Sequence, residues 1–151
     1  MDISYRRLTN HDLPRMSTVA QEAKAFWNYP EEWLKLWKKQ LTFTTDDLNT
    51  HWNYGAYIQD ELVAFVMFSQ NETLADIDNL WVLPEFMALG IGKTLMTNAL
   101  AEAKSREIEI IRIESDPNAE SFYQKFGAVR IGFTDSSPKP RKLPVLEIKL
   151  K

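Results

Sequence analysis

Residues Leu62–Phe68 read LVAFVMF, seven apolar residues without a break. A strand with one wet face alternates apolar and polar side chains. An unbroken run of this length instead predicts a strand buried on both faces. WNYGAYI stands before it, joined tightly at Gln59-Asp60, and predicts its hairpin partner. Asp76–Leu83 (DIDNLWVL) is a third strand of the group. Its alternation puts Asp76, Asp78, Leu80 and Val82 on one side and Ile77, Asn79 and Trp81 on the other.

Helical spacing surrounds this block. After a short strand at Ile3–Leu8, Asn10 or Asp12 caps a helix through about Phe26, with Pro14 in its first turn and Val19, Ala20, Ala23 and Phe26 on one face. A second helix starts near Pro30, with Glu31 and Glu32 at its positive end and Trp33, Trp37 and Leu41 four apart. Thr45–Leu48 supplies one more turn. The most regular helical pattern follows PEFMALGIG, with Ile91, Leu95, Met96, Ala99, Leu100 and Ala103 on one face. A strand over Glu107–Glu114 comes next, then a helix opened by Asp116-Pro117 and ended by Gly127. Val129–Phe133 and Leu143–Leu150 are closing strands, the last able either to pair with a second copy or to close the sheet. The order β-α-α-β-β-β-α-β-α-β-β predicts one mixed α/β domain over residues 1–151.

Composition narrows the chemistry. The net charge of −3 provides no general basic field for nucleic acid. With no cysteine, there is no disulfide framework, thiolate metal site or cysteine nucleophile. His11 and His51 lie outside any ligand spacing, so no metal is expected. The opening residues carry no signal-like apolar segment, and no apolar run approaches the ~18 residues of a membrane span. A cytoplasmic protein that binds no membrane is expected.

The stretch Met87–Leu95, MALGIGKTL, has the makings of a phosphate loop. Three patterns compete for it. The nucleotidase P-loop requires glycine where Met87 stands and a strand running directly into the loop, but Pro84-Glu85-Phe86 intervenes. The dinucleotide fingerprint requires Gly or Ala where Leu95 stands. The third is Q/R-x-x-G-x-G/A, set after a strand ending in hydrophobic-x-Val-x-Pro. LWVLPEFMALGIGKTLM fits that frame. Small residues let the backbone approach a pyrophosphate, and the helix start offers unpaired N–H groups to it.

In this frame the chain resembles the GNAT superfamily of acyl-CoA-dependent N-acetyltransferases. It departs from the usual pattern at Met87, where Gln or Arg is common, and at Ala88, where Gly is frequent. A second motif agrees with the first: Ala119, Tyr123 and Gly127 fall at the spacing A-x-x-x-Y-x-x-x-G, and DPNAESFYQKFGA is similar to a bacterial single-domain group of the superfamily. Asp116 stands where Asn is common. AKAFWNYPEEWLKLW and the terminal Ser137, Arg141, Leu143 and Pro144 also resemble that group.

The resemblance implies a GNAT-like fold: a central, twisted, mostly antiparallel sheet of about six or seven strands, splayed between the fourth and fifth, with about four flanking helices. It implies acetyl-CoA as co-substrate and a small-molecule or peptide amine as acceptor. The pantetheine arm would pair with the backbone of Leu80, Trp81 and Val82 like an added strand. An N–H near Val82 would hold the oxyanion. The pyrophosphate would lie on Met87, Ala88, Leu89, Gly90, Ile91, Gly92, Lys93 and Thr94, with Asn118 and Phe122 also beside the coenzyme. Tyr123 would protonate the departing thiolate. Phe122 and Phe126 share a helix face, and Tyr123 points one step round from it, so Tyr123 need not be a core residue. Asp76 and Asp78 are the candidates to take the amine proton, directly or through water. Trp27 and Tyr29, in the break between the first helices, are candidate acceptor contacts, and a homodimer is possible. The rival to a catalytic transferase is a domain that binds acyl-CoA as a sensor, with a P-loop enzyme as a weaker alternative.

Overall fold

Gln59 and Asp60 both adopt positive φ, 51° and 63°, the pair of left-handed residues that a two-residue hairpin turn demands. They join β2 (Trp52–Ile58) to β3 (Glu61–Asn71) in antiparallel register. The computed structural model describes residues 2–151. In β3 every residue from Leu62 to Phe68 is at most 2% exposed, as the unbroken apolar run requires. Phe65 lies edge-on to Phe43, ring centres 5.3 Å apart, and its truncation to Ala would cost about 3–5 kcal/mol.

The remaining strands are β1 (Ser4–Arg6), β4 (Leu74–Val82), β5 (Ile110–Glu114), β6 (Val129–Asp135) and β7 (Lys142–Lys149). They form one seven-stranded sheet in the order β1-β2-β3-β4-β5-β7-β6. β1 and β2, β2 and β3, β5 and β7, and β6 and β7 pair antiparallel, while β4 and β5 pair parallel. The helices are α1 (Leu13–Ala25), α2 (Glu31–Trp37), α3 (Thr45–Thr50), α4 (Ile91–Ser105) and α5 (Glu120–Gln124). This is the mixed α/β, mostly antiparallel architecture expected from the sequence.

The details depart from expectation in four places. The turn expected at Thr45–Leu48 is a helix that runs to Thr50 under a capping box between Thr44 and Asp47, a fifth α-helix among the described residues. β5 begins at Ile110, since Glu107 takes φ 62° in the turn that closes α4. The helix expected from Asn118 is a 3-10 turn over Pro117–Ala119 followed by the short α5. The last strand lies inside the sheet between β5 and β6, so its own edges are already paired; the outer edge is β6, with Val129, Ile131 and Phe133 exposed.

The chain gathers into two compact units. One comprises the chain up to Phe68 with Asn79–Leu100, the other Ser69–Asp78 with Ala101–Lys151. In the first, α1 buries Met16, Val19, Ala20 and Ala23, and α4 buries Ile91, Leu95, Met96 and Ala99. Buried Asp12 ties the entry of α1 to β2: its Oδ2 accepts the Thr9 N–H at 2.9 Å and the Tyr57 hydroxyl at 2.8 Å. Burial, then the bond to Asp12, pushes the Tyr57 phenol up from its usual range. In the second unit the buried apolar side chains include Ala75, Ile77, Ala103, Ile108, Ile111, Ile113, Leu146 and Ile148. Among the described residues, no helix is long and apolar enough to cross a membrane.

Candidate active site

In the first unit β4 ends at Val82, and a 3-10 turn over Pro84–Phe86 turns the chain toward α4. The Phe86 N–H bonds the Leu83 carbonyl at 2.9 Å, and Leu83 itself is buried and tied to the Val63 carbonyl. The loop is therefore anchored at its start. Ala88 and Gly90 then take φ 66° and 79°. A left-handed alanine costs roughly 1 kcal/mol, so the loop holds a shape that its own sequence does not favour. Ala88, Leu89, Gly90 and Lys93 are exposed, and Met87, Gly92 and Thr94 are half-buried.

The Thr94 N–H bonds the Gly90 carbonyl at 3.0 Å, the first turn of α4. The N–H groups of Ile91, Gly92 and Lys93 precede that bond and have no acceptor within the helix. No acidic residue stands in this first turn, and Lys93 puts a cation there. A lysine at a helix N-terminus opposes the macrodipole by about 0.3–1 kcal/mol. An anion bound at that end would reverse the sign, and the loop and helix start together fit a pyrophosphate.

On β4, Leu80, Trp81 and Val82 are all half-buried. The β4–β5 register runs only from Leu74–Asp76 to Ile110–Arg112, so these three residues have no β5 partner in register. The Trp81 Nε1 donates to Asn79 Oδ1 at 2.9 Å, which fixes its ring.

A residue that the sequence pattern does not single out lies beside Trp81. Lys24 of α1 is 8% exposed, and its ammonium stands 5.0, 4.6 and 5.9 Å from the ring centres of Tyr29, Trp37 and Trp81. The available signal was its position one turn after Ala20 on the apolar face of α1. Of the two loop aromatics, Tyr29 is packed into this group, stacked on Trp33 at 5.9 Å and edge-on to Trp37 at 5.0 Å. Trp27 is 40% exposed and touches Phe26.

The second unit holds Asp76, Asp78, Asn118, Phe122 and Tyr123. Asp76 is half-buried and receives the Arg112 Nε at 2.9 Å. This bond, with the charge of Asp76, pushes the Arg112 guanidinium up from its usual range. Asp78 is exposed. The Asp116 Oδ1 accepts both the backbone N–H and the side-chain Nδ2 of Asn118 at 2.9 Å, capping the 3-10 turn that leads into α5.

Tyr123 on α5 is 6% exposed, while Phe122 and Phe126 are half-buried. Burial thus falls on the tyrosine and not on its phenylalanine neighbours, the reverse of what their helical faces suggested. The Phe122 ring stacks edge-on against it at 5.3 Å. Among the described residues no buried polar side-chain atom lacks a hydrogen-bond partner, and the Tyr123 hydroxyl makes no bond to protein. Part of its residual exposure therefore lies at the oxygen. Burial, then the charge of Asp116, pushes its phenol up, so the group is a protonated donor at neutral pH. Among the described residues there is no cluster of three or more His, Asp and Glu able to hold a metal.

The comparisons with known proteins bear on the fold and the family. The fold is similar to that of the PaiA N-acetyltransferase of Thermoplasma acidophilum in complex with coenzyme A, with TM-score 0.80 and 24% identity over 99% of both chains. It is also similar to the ribosomal-protein-S18-alanine N-acetyltransferase of Escherichia coli, with TM-score 0.74 and 16% identity over 99% of this chain and 95% of the other. In sequence, 62 residues are 32% identical to the uncharacterized N-acetyltransferase ycf52 of Porphyra purpurea. That stretch is 41% of this chain and spans only 36% of the relative's length. Residues 13–128 match the acetyltransferase (GNAT) family over most of the chain, from α1 through the helix that carries Tyr123. The chain belongs to the acetyltransferase (GNAT) family.

Proposed function

We propose that the protein transfers an acetyl group from acetyl-CoA to the amine of a small molecule or peptide, by direct attack with both substrates bound. The observation that carries this reading is the start of α4: unpaired N–H groups, a left-handed Ala88–Gly90 loop and Lys93 in the first turn with no acid beside it. Such an end favours a diphosphate. The bound coenzyme supplies the activated acetyl thioester.

The chain's own groups divide the remaining work. The backbone of Leu80–Val82 holds the pantetheine arm as an added strand, and an N–H near Val82 donates to the carbonyl oxygen as it gains charge. The amine nitrogen forms the new bond to the carbonyl carbon, and the carbon–sulfur bond breaks. The Tyr123 hydroxyl gives its proton to the departing sulfur. The proton lost by the amine goes to Asp78 through water. Asp76, held by Arg112, is the second candidate for that role. Asn118 and Phe122 flank the coenzyme. Trp27 and Tyr29 offer aromatic surface to the acceptor. The compartment expected for such a reaction is the cytoplasm.

Calorimetric titration with acetyl-CoA and, separately, ATP–Mg tests the loop. Acetyl-CoA is expected to bind and ATP–Mg not. The reverse would overturn the reading. A thiol-release assay over butylamine, tyramine, 1,4-diaminobutane and a dipeptide then tests turnover. Binding without thiol release from any of these would favour a sensor of acyl-CoA. Tyr123→Phe is expected to lower kcat by about 10²-fold with little change in acetyl-CoA affinity.

A further inference from the structure

Arg141 lies in the turn between β6 and β7, and both its main chain and its side chain are held there. Its N–H bonds the Pro138 carbonyl and its carbonyl accepts the Ser136 N–H, each at 2.9 Å. Its guanidinium donates to Ser136 Oγ at 3.2 Å and reaches Asp116 Oδ2 at 3.5 Å. The two charged side chains are only 10% and 13% exposed, so the pair is far less screened than a surface ion pair. The other oxygen of Asp116 holds the Asn118 N–H and so fixes the 3-10 turn from which α5 and Tyr123 continue. The Asp116 main chain is gripped too, its carbonyl accepting the hydroxyl of buried Ser115 at 2.7 Å.

Asp116 thus serves two ends. One oxygen sets the direction of the segment bearing Tyr123. Its negative charge also acts on the Tyr123 phenol, and a nearby carboxylate opposes proton donation because donation leaves a phenolate. A guanidinium on the other oxygen offsets that charge.

We propose that Arg141 is a positioning residue for Tyr123: through Asp116 it fixes the turn entering α5, and its guanidinium offsets the Asp116 charge as Tyr123 gives up its proton. This rests on the reading of Tyr123 as the proton donor. The same turn carries Asn118, so Arg141 should act chiefly on kcat and only weakly on acetyl-CoA affinity.

The test is a set of variants: wild type, Arg141→Gln, Tyr123→Phe and the double variant. Each is assayed by thiol release with acetyl-CoA and the fastest amine among the four probes above, with thermal melting and acetyl-CoA calorimetry alongside. Arg141→Gln is expected to lower kcat by about 10-fold, and Arg141→Lys to recover most of it. In the Tyr123→Phe background, Arg141→Gln should cost little more, because the group it serves is gone. Asp116→Asn added to Arg141→Gln should restore part of kcat by removing the uncompensated charge. A purely structural latch would not be rescued by cutting its other end. Unchanged kcat in Tyr123→Phe, or thiol release from no probe, would sink the reading of Tyr123 and this proposal with it. A full loss in Tyr123→Phe combined with a wild-type rate in Arg141→Gln, or with an undiminished Arg141→Gln effect in the double variant, would overturn the positioning role alone. If Arg141→Gln melts below the assay temperature, Arg141→Lys paired with Asp116→Asn decides the same question: equal losses that multiply in the Tyr123→Phe background would overturn it.

Discussion

Asp76 and Arg112 are register partners at the last paired position of the parallel β4–β5 ladder, and their side chains meet there at 2.9 Å. The carboxylate is 31% exposed and the guanidinium 40%, so the pair closes the ladder more than it stabilises the fold. Removing either partner should cost less than about 1 kcal/mol, a fall in Tm of no more than about 2–4 °C. The two acids of β4 differ in exposure, Asp78 being exposed and Asp76 half-buried. Asp76→Asn should leave the pH–rate profile of thiol release nearly as it is, while Asp78→Asn should change it. An unaltered profile in Asp78→Asn would remove that residue from the proton path.

Two buried phenols decide behaviour in alkali. The Tyr57 and Tyr123 phenols both lie above their usual range, through burial first in each case. Above about pH 10 the unfolded chain releases these protons and the folded chain keeps them. The unfolded state then binds fewer protons, so stability is full below that pH and falls as pH rises beyond it. Tyr57→Phe should flatten part of the decline seen by urea unfolding between about pH 9.5 and 11. It should also destabilise the protein at neutral pH by about 1–3 kcal/mol, since buried Asp12 loses a donor.

Pairs between distant segments mark the limit of what the sequence discloses. The run Leu62–Phe68, the glycines of the loop and the spacing of Ala119, Tyr123 and Gly127 are local patterns, and each carries its physics within a few residues. They were enough for the order of elements and the family. Asp76–Arg112 and Asp116–Arg141 join residues far apart in the chain, the first through the β4–β5 register and the second through the turns that follow β5 and precede β7. The place of β7 inside the sheet is likewise a matter of pairing, invisible in a strand that reads as apolar by itself. Lys24 is hidden for another reason. Lysine on a helix is ordinary, and only the arrival of Tyr29, Trp37 and Trp81 makes this one a buried cation.

At the acid end, Glu120 and Arg130 form a two-pronged pair at 2.6 Å each. The guanidinium beside Glu120 holds its carboxyl below the usual range. A depressed folded value means that the contribution is present above the unfolded carboxylate pKa of about 4.3 and is lost as pH falls through the folded value. Arg130→Gln should therefore lower stability slightly at neutral pH and shallow its loss between about pH 4.5 and 3, the two proteins converging in acid. An identical acid limb in the variant, followed by circular dichroism, would mean that other carboxylates govern it.

Lys93 gives a test in which stability and affinity move in opposite directions. Its ammonium sits in the first turn of α4, where the helix end is already positive and no acid offsets it. In the free protein, Lys93→Ala removes that repulsion and should raise stability by about 0.3–1 kcal/mol. With acetyl-CoA present, the same change removes a cation from beside the diphosphate and should weaken binding by about 3–10-fold at low salt. The difference should shrink as salt is added, because exposed charges are screened within about 10 Å at 0.1 M. Melting curves with and without acetyl-CoA, with calorimetry at two ionic strengths, measure both halves. A variant that is less stable when free, yet binds the coenzyme as tightly as wild type, would show that Lys93 serves the helix and not the phosphate.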